Sequence, residues 1–121
     1  MLIQIRYTDG VYMLKLRLKK SIVCWMTYKL NVKNNIIYLY TIQTNRPFQR
    51  KGYGSVILQH FINQYDSSKN IIAKILGGYE NTACIKLLLK FHFKPIESNN
   101  ELYMVRSTNM GQVSVFLATN T

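Results

Sequence analysis

Apolar positions recur with a period of two through much of the first 45 residues. Leu2 to Tyr7 alternates weakly and predicts a strand. Asp9-Gly10 follows as a two-residue hairpin signal. From Val11 to Lys19 the alternation is clear. Tyr12, Leu14, Leu16 and Leu18 share one face; Met13, Lys15, Arg17 and Lys19 share the other. One apolar and one basic face predict a half-buried strand with its charges in water. Ser21 to Leu30 is rich in strand formers (Ile22, Val23, Trp25, Thr27 and Tyr28), which predicts another strand with Trp25 in the core. Asn34-Asn35 marks a turn, and Ile36 to Thr44 is the next strand. Residues 1–45 therefore read as an antiparallel meander.

The period then changes. Ser55 to Asp66 places Ile57, Leu58, Phe61, Ile62 and Tyr65 on one helical face, with Ser55, Gln59 and Asn63 opposite. Ser67 to Asn70 reads as a loop, and Ile71 to Leu76, β-branched at its start, as a strand. A strand, a helix and a strand in succession suggest a parallel β-α-β unit. Gly77-Gly78 breaks the chain. Asn81 to Phe91 predicts a second helix with Ala83, Cys84, Leu87, Leu88 and Phe91 facing inward. Glu80 or Asn81 is placed to cap it, and Pro95 prevents its continuation. Glu101 to Arg106 is a strand. Val113 to Ala118, within residues 107–121, reads as one more strand or a loosely attached tail. The expectation is a single α+β domain over residues 1–121.

Composition agrees with a folded domain: 121 residues, 48% of them apolar, can bury roughly two thirds of their extended surface. Charge adds a bias. Sixteen basic against five acidic residues leave a net charge of +11, which suits polyanionic partners or simply a soluble basic surface. Cys24 and Cys84 sit in apolar surroundings and read as reduced and buried. There is no Cys/His cluster with metal spacing, so no metal is expected. No apolar run reaches the length of a membrane span. With no signal peptide visible, the expected location is the cytoplasm.

The chemistry concentrates at Gln49-Arg50-Lys51-Gly52-Tyr53-Gly54, between the strand ending at Thr44 and the helix beginning near Ser55. Glycines there permit unusual dihedrals and close backbone approach. The first N–H groups of a helix lack intrahelical partners and lie at the positive end of its dipole. A turn of this kind is a phosphate seat.

Gln49-x-x-Gly52-x-Gly54 after an apolar strand resembles the acyl-CoA pyrophosphate loop of the GNAT superfamily of N-acetyltransferases. The second helix resembles that family's as well. The family pattern there is Asn, a small residue, Leu, Tyr and Gly-Phe; this chain has Asn81, Cys84, Leu87, Leu88, His92 and Phe93. The resemblance covers about Ile36 to Arg106. It implies a GNAT-like acyl-CoA N-acyltransferase fold: a central, mostly antiparallel twisted sheet with a parallel splayed pair and two main helices. Residues 46–106 would then form the acyl-CoA-binding core. It also implies acetyl transfer from acetyl-CoA to a primary amine, on a small molecule or a protein, with coenzyme A as co-substrate. Main-chain groups of Ile42 and Thr44 would pair with the pantetheine arm. Gln49 and backbone N–H groups through Arg50, Lys51, Gly52, Tyr53, Gly54 and Ser55 would hold the pyrophosphate. Arg50, Lys51 and Arg46 would add charge, and Asn81 would bond the arm from the opposite side.

The departures are specific. Leu88 stands where the family commonly has the Tyr that protonates the departing thiolate. His92 replaces a Gly and is a candidate acid or base; the alternative is a helix-end residue with no chemistry. Glu80 is the candidate general base, or else only a helix-start charge. Tyr38, Tyr40 and Tyr79 are candidates for polar positioning. Asp9-Gly10 leaves no room for the two helices that shape the family's acceptor pocket, so that pocket is expected to be open or completed by another subunit, as in a homodimer paired through a sheet edge. Two competing readings remain: a degenerate GNAT-fold CoA-binding or protein-interaction module, and a small basic nucleic-acid-binding protein. The second is disfavoured, because no RNA-binding aromatic signature, zinc finger or helix-turn-helix is visible.

Overall fold

The computed structural model describes residues 2–65 and 69–120. Its strands form one seven-stranded sheet, mostly antiparallel with one parallel pair. The order is β1 (Leu2–Arg6), β2 (Val11–Leu18), β3 (Ser21–Asn31), β4 (Ile36–Thr44), β5 (Asn70–Lys74), β7 (Glu101–Arg106) and β6 (Lys94–Ser98). Three helices accompany it: α1 (Tyr53–Gln64), α2 (Thr82–Lys90) and α3 (Met110–Asn120). The parallel pair is β4 and β5, because their connection runs through α1 and neighbouring strands joined by such a crossover run the same way. Among the described residues no helix is long and apolar enough to cross a membrane. The chain divides into two compact units, Met1–Leu30 with Leu39–Asp66, and Asn31–Tyr38 with Ser67–Thr121.

The first unit is the expected meander with α1 against it. Strands β1, β2 and β3 pair antiparallel, with Gln4 opposite Leu14 and Leu14 opposite Met26. The buried side carries Leu14, Leu16, Cys24, Met26 and Tyr28, and α1 contributes Ile57, Leu58 and Phe61. Ring edges lock the two layers: the Phe61 centroid lies 4.8 Å from that of Tyr28. At the far end Gln64 Nε2 donates to Gln4 Oε1 at 2.6 Å. Tyr65 leaves helical dihedrals (φ −114°, ψ 146°) and ends α1. The expected helix end at Asp66 and the loop at Ser67 lie outside the described residues.

Two expectations fail here, beside a bulge in β3. The register shifts between Leu16 and Arg17, which face Cys24 and Ile22 and leave Val23 as an extra residue on β3. A bulge interrupts the alternation of sides. Leu18, the last residue of β2, is exposed. Val23 and Cys24 are both fully buried, while Trp25, expected in the core, is half-buried and lies opposite Lys15. The bulge also frees two carbonyls. The main-chain N–H of Asn45 donates to Val23 O at 2.9 Å, and its side-chain amide donates to Ile22 O at 2.5 Å. The end of β4 is thereby pinned where the glycine loop begins.

The second unit is built on β5, β7 and β6, with Ile72 opposite Val105 and Ile96 opposite Tyr103. Strand β6 was not anticipated. Its signal is Asn99-Asn100, both with positive φ (52° and 64°), the requirement of a tight hairpin turn. As the outer strand β6 exposes Lys94, Pro95 and Glu97, a composition that discourages pairing with another chain at this edge.

Val113 to Ala118 is neither a strand nor a loose tail: it lies within helix α3, Met110–Asn120. Asn109 Oδ1 accepts from Gln112 N at 3.2 Å and starts it. Val113, Phe116 and Leu117 recur at helical spacing and pack with Ile36, Ile72, Tyr103 and Val105. The fully buried Asn70 stitches this core together. Its amide donates to Asn35 O at 3.0 Å and Gln112 Oε1 at 2.8 Å, and its oxygen accepts from Ser107 Oγ.

Candidate functional site

In the first unit β4 runs into a short 3-10 turn, Arg46–Phe48, with Pro47 inside it. Phe48 N donates to Asn45 O at 2.9 Å, and Gln49 returns to extended backbone. Arg50 and Gly52 then take left-handed dihedrals, φ 65° and 84°. For glycine this costs nothing special; for an arginine it stores about 1 kcal/mol of strain. Helix α1 starts at Tyr53, two residues before the expected Ser55, with Gly52 as its N-cap. No side chain caps it, and its first hydrogen bond runs from Val56 N to Gly52 O at 3.2 Å. The N–H groups of Tyr53 and Gly54 therefore have no acceptor within the helix. Arg50 and Lys51 are exposed beside them. An uncapped N-terminus preceded by left-handed residues forms a concave set of donors suited to an anion.

Gln49 has a second task that its position alone did not indicate. Its Nε2 donates to Thr44 O at 3.1 Å, so the loop folds back on the strand end. Thr44 Oγ1 in turn donates to Cys24 Sγ at 3.3 Å. Burial pushes the Cys24 thiol above its ordinary pKa, an effect the Thr44 contact only moderates. Ile42 and Thr44 are both partly exposed on β4.

In the second unit β5 leads into Gly77, left-handed at φ 84°, and a 3-10 turn over Gly78–Glu80. Asn81 caps α2: its Oδ1 accepts from Cys84 N at 3.4 Å. Its Nδ2 donates to Leu76 O at 3.2 Å. Glu80 is exposed in the turn and is not the cap. Within α2 Leu88 is fully buried, Cys84 and Leu87 are half-buried, and Ala83 is exposed, contrary to expectation; Phe91, the C-cap, is half-buried.

His92 follows α2 with φ 71°. His92 N donates to Leu89 O at 3.0 Å and Phe93 N to Leu88 O at 3.1 Å. This pair of bonds is the Schellman motif, sealed here by the buried Phe93 and Leu88. The position favours glycine, which is the residue the motif on which the resemblance rests carries there. The imidazole itself is exposed. Tyr38 packs on Phe116, ring centroids 6.1 Å apart, and Tyr40 is exposed. Tyr79 donates to Glu97, a bond that raises its pKa. Glu97, on the unanticipated β6, was not singled out by sequence reasoning. Among the described residues no three His, Cys, Asp or Glu side chains assemble as a metal site.

Solved structures share this architecture. The ribosomal-protein-S18-alanine N-acetyltransferase from Escherichia coli matches with a TM-score of 0.69 at 14% identity, over 85% of this chain and 74% of that one. An acetyltransferase from Thermus thermophilus gives 0.70 at 19% identity, over 82% and 65%. The chain has the GNAT fold. PaiA N-acetyltransferase from Thermoplasma acidophilum, solved in complex with coenzyme A, gives 0.67 at 13% identity, over 81% of this chain and 61% of that one. The chain thus spans less than two thirds of the Thermus and Thermoplasma proteins with this fold. No protein-family model and no curated protein matches the sequence.

Proposed function

We propose that this chain is an acyl-CoA-dependent N-acyltransferase, moving an acetyl group from acetyl-CoA to a primary amine. The observation that carries the reading is the uncapped start of α1, behind left-handed Arg50 and Gly52, on a GNAT fold. In this reading the N–H groups from Arg50 to Ser55 take the pyrophosphate, and Arg50, Lys51 and Arg46 neutralise its charge. Main-chain groups of Ile42 and Thr44 pair with the pantetheine arm, and Gln49 holds the Thr44 carbonyl. Asn81 meets the arm with the hydrogen-bonding capacity left over from capping α2. The attacking amine forms the C–N bond, the C–S bond breaks, and the thiolate leaves with a proton. Glu80 as base and His92 as acid are the side chains assigned to those proton movements.

Calorimetric titration with acetyl-CoA and with CoA, at low and moderate salt, tests this. One-site binding is expected, and Gly54→Glu removes it by placing a carboxylate at the phosphate seat. Affinity retained in that variant contradicts the loop assignment. A second reading rests on Leu88, whose buried aliphatic side chain cannot protonate a thiolate. A CoA-binding module without turnover binds CoA equally well and releases no free thiol with any amine. Thiol release is the discriminating measurement.

A further inference from the structure

In the first unit the two sides of β1, β2 and β3 are buried unequally. Residues directly opposite each other on paired strands share a side. Leu14, Leu16, Met26 and Tyr28, between 0% and 6% exposed, lie on the side that α1 covers. The residues between them face the other side. There Ile3 lies opposite Lys15 and Lys15 opposite Trp25, Ile5 opposite Met13 and Met13 opposite Thr27, and Val11 opposite Lys29. Tyr7 reaches this side too, since its hydroxyl donates to Met13 Sδ at 3.9 Å. Every one of these residues keeps part of its surface in water. Among the described residues of the unit α1 is the one α-helix, and it lies on the Leu14 side. A solvated sheet face alternates into polar residues. This one instead carries Ile3, Ile5, Val11, Met13 and Trp25, neighbours along a strand, across it or on the diagonal. An exposed apolar patch of this kind rimmed by charge marks a binding surface.

Charge selects the occupant. Nine Lys and Arg residues stand against Asp9 alone among the described residues of the unit, and Lys15 and Lys29 lie on the face itself. A second copy of the chain would bring a further net charge of +11 against it. We propose that this face seats an amphipathic helix of a partner protein whose apolar stripe is flanked by Asp and Glu. The same sheet already accepts one helix on its other side, through Ile57, Leu58 and Phe61 of α1. On the partner, apolar residues three and four apart cover Ile5, Met13 and Trp25, and carboxylates meet Lys15 and Lys29. The seat shares no residue with the glycine loop, so it stands or falls independently of the acyltransferase reading.

Trp25 is the single tryptophan of the chain and lies on the seat, so its fluorescence reports occupancy there. The probe is a designed peptide of about four helical turns, with Leu at helical spacing and Glu elsewhere. A scrambled peptide of the same composition keeps the charge and loses the stripe. Saturable binding with a blue shift of Trp25 emission is expected for the first peptide and not for the second. Ile5→Asp is expected to abolish it. Lys15→Gln/Lys29→Gln, which leaves the apolar residues in place, weakens it roughly tenfold, the scale of a charge-assisted contact. Lys94→Gln, on the opposite edge strand of the sheet, leaves it unchanged. Equal shifts from the scrambled peptide, a shift that survives either the Ile5 or the lysine variant, or no shift at all overturns the proposal. A shift produced by phosphatidylserine vesicles or by oligodeoxythymidine but not by the peptide also overturns it, in favour of a membrane or a nucleic acid. So does a dimer in sedimentation whose formation itself shifts Trp25, which assigns the face to a second copy.

Discussion

The chain contains two passages of the same design. Each has a strand end, a 3-10 turn, a glycine at φ 84° and a helix start, with the glycine after the turn in the first (Gly52) and before it in the second (Gly77). They differ in the cap. Gly52 offers α1 no side chain, whereas Asn81 bonds both the third N–H of α2 and the Leu76 carbonyl behind it. The first helix start has no side-chain cap and lies beside exposed Arg50 and Lys51; in the second the Asn81 side chain takes up the N–H of Cys84. All three glutamates of the chain lie in the second unit. Similar residues thus give different helix starts: one uncapped beside a basic pair, the other capped by a side chain beside an acid-lined cleft. A helix N-terminus becomes a binding site when nothing within the chain occupies it.

The strongest way to break the second unit is through Asn70. Asn70→Ala leaves the Asn35 carbonyl, Gln112 and Ser107 without their shared partner in a buried setting. A loss of about 3 kcal/mol is expected in urea unfolding. A loss below about 1 kcal/mol would mean that water replaces the amide.

The two caps can be set against each other directly. Gly52→Ala meets no atom within 4 Å, so its cost is backbone strain alone, about 1–2 kcal/mol. Gly52→Asn recovers part of that, because Asn tolerates left-handed dihedrals. Asn81→Ala costs about 1 kcal/mol through the lost cap, and Asn81→Ser recovers part of it. Equal effects of Ala and Asn at position 52 would sink the strain account.

Alkaline pH probes the first unit. Tyr65 Oη donates to Tyr28 Oη at 2.8 Å. Burial raises both phenols above their ordinary 10.0, and burial raises Cys24 above its ordinary 9.0. The unfolded chain therefore loses these protons first. Stability is full below about pH 9 and falls as pH rises beyond it. The thermal midpoint between about pH 7 and 11 reports this; a flat profile would show that these groups ionise without unfolding.

The smallest expected effect is a gain. His92→Gly relieves a left-handed residue at the end of α2 and should add about 1 kcal/mol. If turnover survives both His92→Gly and His92→Ala, the imidazole has no catalytic task and the position is conformational.

Much of the fold was legible because its signals are local. Period two across residues 11–18, period 3.6 across 55–65 and the Asn34-Asn35 turn each depend on neighbours within one element. The loop Gln49 to Gly54 was legible for the same reason. What escaped was settled by partners distant in sequence. Leu18 ends β2 and is exposed, and Trp25 is half-buried because it shares a side with Lys15, its partner across β2. Helix α3 was misread although Val113, Phe116 and Leu117 have helical spacing, since a short apolar run fits either period until its cap at Asn109 is recognised. Strand β6 hid behind Pro95, which an outer strand tolerates.

Sequence by itself determined the order of elements, the position of the glycine loop and its basic flank, because periodicity, turn residues and charge are written residue by residue. Tertiary structure alone decided which helix start carries a side-chain cap, that Asn45 anchors the loop to a bulge, and that Glu97 and Glu101 share a cleft. Those outcomes depend on which donor meets which acceptor across tens of residues, and on which groups lose their water. The folded chain sets both.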